Sequence, residues 1–235
     1  MRSPLKIAAA QPACVTNHVH ANALEHADLI RSAEARVVVF PELSLTGYDV
    51  DVRALSTDDE ALRPVADACA ETGTVALVGA PVEGEAGEMH IAMLRVSGTG
   101  IDVVYRKSYL GGDEPSRFTG GNGAVAIDVD GWRIGLGICK DTGVEQHIAD
   151  IAALDVDAYI AGLLHRRDQL DIQEKRAVRI AQACEAYVAF ASFAGPTGGG
   201  YDQTAGVSSI WAPNGKLLAR AGSEPGGIAV TVLPL

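Results

Sequence analysis

Short continuous apolar runs alternate with longer stretches of helical periodicity along most of this chain. Leu5–Ala10 reads as a first buried strand. A helix then follows to about Ala33, with Asn17 as its N-cap and Leu24, Ala27 and Leu29–Ile30 on its inner face. Arg36–Phe40 is a second apolar run, and Pro41 ends it because proline offers no N–H to a ladder. Asp58–Asp59 open a helix that stops before Gly73, and Val75–Ala80 is the next buried strand. His90–Val96 with Ile101–Tyr105, and Ala124–Val129 with Trp132–Ile138, predict two hairpins. A helix over Val144–Ala153 precedes a strand at Ala158–Ala161, and a helix over Ile172–Ala186 precedes Val188–Phe193. Val207–Trp211, Lys216–Arg220 and Ile228–Leu233 close the chain. With no linker, repeat or low-complexity tract, the pattern predicts one α/β domain over residues 1–235 with mixed strand pairing.

Composition changes this picture little. Of the 235 residues, 48 % are hydrophobic and 21 % charged, a globular balance, and a chain of this size buries roughly 70–75 % of its unfolded surface without a metal or disulfide staple. The net charge of −11 argues against nucleic acid or an anionic membrane as a partner. No apolar run is long enough for a membrane span. Gln11, Pro12 and Asn17 interrupt the only N-terminal stretch that resembles a signal peptide, so a cytoplasmic protein is expected. The cysteines at 14, 69, 139 and 184 show neither metal-ligand spacing nor a disulfide framework.

Three positions carry chemistry. In GLGICKD, Cys139 stands at the carboxyl end of a strand, where ligands of α/β sheets bind and where oriented backbone N–H groups favour a thiolate. In VVVFPELSLTGY, Glu42 follows Pro41 at another strand end and is placed to move a proton between a thiol and a departing amine. In VVYRKSYLGGDE, Lys107 follows a third strand, where an ammonium stabilises an oxyanion and lowers a neighbouring thiol's pKa. Taken singly, each also reads as an ordinary residue: a buried structural cysteine, a solvated loop glutamate, a surface lysine. Their common position at three strand ends, in the order Glu, Lys, Cys, is what joins them.

FPELSLTGY, YRKSYL and GLGICKD resemble, in order, the three catalytic motifs of the nitrilase superfamily, the carbon–nitrogen hydrolases. The similarity continues through SFAGPTGGGYDQTAGVSSIWAPNGKLLA and so spans nearly the whole chain. The resemblance implies a four-layer αββα sandwich, paired into a homodimer or higher homo-oligomer. It implies Cys139 as nucleophile, Glu42 as general base, Lys107 and the Lys140 backbone N–H as oxyanion donors, and no cofactor or metal. Glu114, in GGDEPSRFTGG, matches a further glutamate that positions substrate and lysine in many members.

Departures from the family pattern bear on the substrate. CKDTGVEQ has Lys140 where amidase-type members carry an aromatic residue, and it lacks the arginine and proline that follow in many of them. Asp141 keeps the amidase pattern, whereas true nitrilases more often carry Trp-Glu here. AGLLHRRD replaces the common pocket wall, with His165 near the usual aromatic. Lys107, Lys140, His165, Arg166 and Arg167 form a basic set suited to an acidic substrate. The expected activity is hydrolysis of a small aliphatic amide through a thioester. Nitrile hydrolysis, N-carbamoyl hydrolysis and a catalytically silent binding module are the alternatives.

Overall fold

Every predicted strand run forms a strand, and the runs sort into two six-stranded sheets lying face to face. The computed structural model describes residues 2–235. In chain order it contains β1 (Leu5–Gln11), α1 (Val19–Ala33), β2 (Val37–Val39), α2 (Arg63–Thr72), β3 (Val75–Glu83), β4 (Met89–Ser97) and β5 (Gly100–Arg106). Then follow β6 (Val125–Val129), β7 (Trp132–Ile138), α3 (Glu145–Ala152), β8 (Ala158–Leu163), α4 (Leu170–Cys184) and β9 (Tyr187–Ser192). The two-residue pair β10 (Ala194–Gly195) and β11 (Thr204–Ala205) precedes β12 (Ser209–Trp211), β13 (Leu217–Arg220) and β14 (Gly227–Leu233). One sheet has the order β14-β1-β2-β3-β4-β5, the other β13-β12-β9-β8-β7-β6.

Both faces of the central strands are buried, which is why they read as continuous apolar runs rather than alternating ones. Ile7, Val37, Leu77 and Met93 point at Ile134, Leu136, Ile160 and Ile210 of the opposite sheet and form the middle layer of the core. Their neighbours Ala8, Val38, Ala76 and Leu94 turn outward against α1 and α2. On the other sheet Tyr159, Ala161, Val188 and Phe190 do the same against α3 and α4. The result is the four-layer αββα sandwich.

Local departures from the sequence reading have local causes. Asn17 does not cap α1. It sits at φ 63°, His18 is the N-cap, and neither side chain caps the helix. Asn22 ties down the entry instead, accepting from the Val15 N–H and donating to the Val15 and Leu45 carbonyls. Asp59 caps a short 3-10 turn, Glu60–Leu62, by accepting from the Ala61 N–H, and α2 begins only at Arg63, with Pro64 in its first turn. Gln11, read as an interruption, completes β1. Its buried side chain donates to the Gly222 and Glu224 carbonyls and accepts from the Ser208 N–H.

Strand direction brings the candidate residues together. β1, β2 and β3 are mutually parallel, and so are β7, β8 and β9. β5 lies two antiparallel steps from β3 and therefore runs with it. The segment after β2 crosses a tight gap between the sheets. A Cβ on Gly79 of β3 would stand 2.3 Å from the Pro41 carbonyl oxygen, and one on Gly162 of β8 would stand 2.6 Å from that of Phe40. Behind this segment His26 of α1 donates through Nδ1 to the Asn22 carbonyl at 2.6 Å and accepts at Nε2 from the Ser44 hydroxyl at 2.8 Å. Replacing Gly162 by alanine is expected to cost about 1–3 kcal/mol, because backbone rather than a flexible side chain stands in the way. A lower urea midpoint at unchanged slope would show it; an unchanged midpoint would mean the strands part freely.

Candidate active site

Cys139 is the first residue after β7, and its backbone is left-handed at φ 41°, an uncommon conformation for a residue with a side chain. Asp141 holds this bend. Its buried carboxylate accepts from the Ile138 N–H at 2.9 Å, the Tyr109 N–H at 2.9 Å and the Tyr105 hydroxyl at 2.8 Å. The Thr142 hydroxyl donates back to the Cys139 carbonyl at 2.6 Å. The chain continues as a 3-10 turn over Cys139–Gly143. The Lys140 N–H lies in its opening residues, where N–H groups have no carbonyl of their own turn to meet. The bend lifts the thiol from the core to the floor of a cavity of about 400 Å³.

Lys107 follows β5 and is almost wholly buried, at 1 % exposure. Its ammonium donates to Glu42 Oε1 at 2.6 Å and to both Glu114 oxygens at 2.7 and 2.8 Å. Burial alone would lower the lysine's pKa, but the neighbouring carboxylates, Glu42 foremost and then Glu114, outweigh it and hold the ammonium protonated. Glu114 is kept in place by the Tyr48 hydroxyl at 2.6 Å and the Gly111 N–H at 2.8 Å. The short loop after Lys107 thus folds back on its own lysine.

Glu42 is also buried, and only one of its oxygens is engaged. Oε1 meets Lys107, while Oε2 has no hydrogen-bond partner among the described residues. Burial pushes its pKa up to about 7, with the Lys107 charge opposing the rise. The Cys139 thiol donates to the Leu164 carbonyl at 3.3 Å. Its pKa is pushed up to about 12, by burial first and by the Glu42 charge second, with Lys107 working the other way. The expectation of a thiolate favoured in the resting site is therefore corrected. The backbone N–H groups do not overcome desolvation and a neighbouring carboxylate, so the resting group is a thiol facing a base.

Glu42, Lys107, Glu114, Cys139, Lys140 and His165 all line the one cavity. Of the expected basic set, Arg166 joins them, stacked over the Tyr201 ring at 4.3 Å and donating to the Gly200 carbonyl at 3.2 Å. Arg167 does not; it lines a separate surface cleft with Asp168 and Asp202. His165 is buried with both ring nitrogens engaged, Nδ1 toward Gln173 Oε1 and Nε2 toward an Arg176 N–H, each at 3.4 Å.

The carbon–nitrogen hydrolase family description matches residues 6–235. The chain belongs to that family. This hydrolase is similar, at 25 % identity over 85 % of its length and 72 % of the relative's, to the hydrolase in the pqqF 5′ region of Pseudomonas protegens. Its fold is similar to that of XC1258 from Xanthomonas campestris, a superfamily protein with an arsenic adduct in the active site (TM-score 0.88, 17 % identity, 98 % of this chain and 90 % of that one). It is similar also to Saccharomyces cerevisiae Nit3, of branch 10 of the nitrilase superfamily (TM-score 0.86, 20 % identity, 99 % and 90 % covered). A third similar fold is the amidase from Nesterenkonia sp. AN1, captured with acrylamide added to its active-site cysteine (TM-score 0.84, 22 % identity, 98 % and 93 % covered).

Sequence reading missed two residues of this site. Tyr48 lies within the quoted FPELSLTGY and supports Glu114, but nothing local marks that contact. Arg176 lines the cavity from α4. Its signal was available: it falls on the helical stripe of Gln173, Ala177 and Ile180, whose other members are buried.

Two buried histidines give the molecule a pH signature. Burial lowers His26 to about 4, and burial with the Arg176 charge lowers His165 to about 4. Between the ordinary histidine value and about pH 4 the unfolded chain takes up protons that these rings refuse, so their contribution to stability falls as pH falls through that window. Glu42 acts oppositely, holding a proton in the folded state up to about pH 7. Nitrogen-15 shifts of both imidazoles are expected to stay those of neutral rings at pH 5. Protonated shifts there would contradict the burial.

Proposed function

We propose that this hydrolase cleaves small aliphatic amides, with Cys139 as nucleophile and a thioester as intermediate. The observation that carries the reading is the free Oε2 of Glu42, a buried carboxylate oxygen without a partner, beside a thiol on the floor of a small cavity. Because the thiol rests protonated, attack and deprotonation belong to one step. Sγ adds to the amide carbon as its proton passes to Glu42 Oε2. Lys107 and the Lys140 N–H receive the oxyanion. Glu42 then gives the proton to the nitrogen, the C–N bond breaks, and ammonia or amine leaves a thioester on Cys139. Water, deprotonated by Glu42, attacks that thioester, and the collapse of this second adduct returns the thiol and releases the acid.

Glu114 serves as a positioning residue: its two contacts aim the Lys107 ammonium, and Tyr48 holds Glu114 in turn. Asp141 after the cysteine and the similarity to an amidase support amides over nitriles. The proposal also includes a homodimer, and sedimentation equilibrium reads it directly.

Mass spectrometry of the protein incubated with small amides should find an acyl adduct on Cys139, and Cys139→Ala should abolish both adduct and ammonia release. Glu42→Gln is expected to lower kcat by at least 10²-fold, the lower end of what positioned acid–base groups contribute. Adducts or ammonia surviving in Cys139→Ala would refute the scheme. Ammonia from nitriles but not amides would shift the activity to the nitrilase type, and carbon dioxide release to the carbamoyl type. The wild-type rate should fall on acidification through the range near pH 7 as Glu42 takes its proton, the direction burial dictates.

A further inference from the structure

Arg176 is a cation without an anion. The guanidinium lines the catalytic cavity, half-buried, from the inward stripe of α4. Eight other arginines each lie against a carboxylate, Arg36, Arg95 and Arg179 among them. Arg176 makes no such ion pair among the described residues. Its hydrogen bonds there are two long ones from Nη1 at 3.4 Å, to the Thr142 hydroxyl and to His165 Nε2. Nε and Nη2, the edge that grips a carboxylate side-on, have no partner among the described residues.

The surroundings hold this group in place rather than neutralise it. Gly143 is the surface on which the guanidinium rests. A Cβ there would stand 2.6 Å from Nη2, 2.7 Å from Cζ and 3.0 Å from Nε, so a larger residue would push the guanidinium out of this position. His165 presents Nε2 as an acceptor because its Nδ1–H points at Gln173 Oε1. Thr142, which bonds the Cys139 carbonyl, joins Arg176 to the nucleophile's own turn. The acids of the cavity are otherwise placed. Glu42 and Glu114 are committed to Lys107, while Asp49 and Asp113 come from the segments after β2 and β5, on the other sheet. Lys140 and Arg166 add positive charge to the cavity lining. An isolated, partly desolvated cation is costly to keep unless something pairs with it. A planar fork is suited to a carboxylate.

We propose that the substrate is an amide whose far end carries a carboxylate, a monoamide of a short dicarboxylic acid, and that Arg176 binds that carboxylate. This rests on the amidase reading, since it names the substrate class of the same site. The cavity of about 400 Å³ limits the molecule to a small one.

The test compares succinamate with butyramide, amides of equal chain length with and without the terminal charge. Wild-type kcat/KM should favour succinamate by at least tenfold. Arg176→Gln should shrink that ratio by at least tenfold, chiefly through KM, and Arg176→Lys should restore part of it, which a merely structural arginine would not do. A second arm measures glutarate binding by calorimetry to Cys139→Ala, with and without Arg176→Gln, where a loss of at least tenfold is expected. Equal ratios in wild type and Arg176→Gln together with equal glutarate affinities would overturn the proposal while leaving amide hydrolysis standing. Arg176-dependent glutarate binding with no amide cleaved would uphold carboxylate recognition and sink the amidase reading instead.

Discussion

One buried ammonium between two buried carboxylates organises this site. Lys107 is enclosed by Glu42 and Glu114, and all three are nearly inaccessible to water. Charges removed from water are tolerated only when closely paired, and removing one member of such a group typically costs about 3–5 kcal/mol because it strands the rest. The cluster therefore fixes where three chain segments must lie: the turn after β2, the end of β5 and the loop that returns as Glu114. Since the two carboxylates share one cation, Glu42 is only partly satisfied, and its remaining oxygen is available for chemistry.

Around that cluster the fold acts as a holder. Parallel strands from two sheets end on the same side, and their ends carry Glu42, Lys107 and Cys139. Gly79 and Gly162 let the Glu42 segment pass between the sheets, and Asp141 pulls the Cys139 turn into its left-handed bend with three accepted hydrogen bonds. The same features that bury the thiol keep it protonated. Its reactivity must then come from a base placed beside it, not from a standing thiolate.

The cavity's two sides differ in kind. On the Lys107 side the ammonium is closed in by Glu42 and Glu114, and of those two carboxylates only Glu42 Oε2 is left without a partner among the described residues. The α4 side is open, with Arg176 held by a histidine, a threonine and a glycine that give it position without charge. Glu42 and Lys107 come from the ends of one sheet, whereas the Cys139 turn and Arg176 belong to the other.

Much of this was legible in the chain itself. Apolar runs located the central strands of the two six-stranded sheets, because strands buried on both faces need such runs regardless of context, and hairpin patterning located the half-exposed β5 and β6. The motifs around Glu42, Lys107 and Cys139 located residues that line one cavity, because a residue just past a strand end emerges at a sheet mouth. Glu114 was located only by resemblance. Capping was less legible: Asn17 is a good cap by type, yet the helix entry is set by Asn22 bonding across to Leu45. Arg166 and Arg167 are adjacent, alike in sequence and both border the surface cleft, and only the path of the loop brings Arg166 to the cavity as well. Arg176 looked like one more charged helix residue until Gly143 and His165 were brought beside it. Residue type and period determine which elements form and which groups can react. Burial, pairing and protonation depend on neighbours distant in sequence, so the protonated thiol, the free carboxylate oxygen and the unpaired guanidinium were decided by the tertiary structure alone.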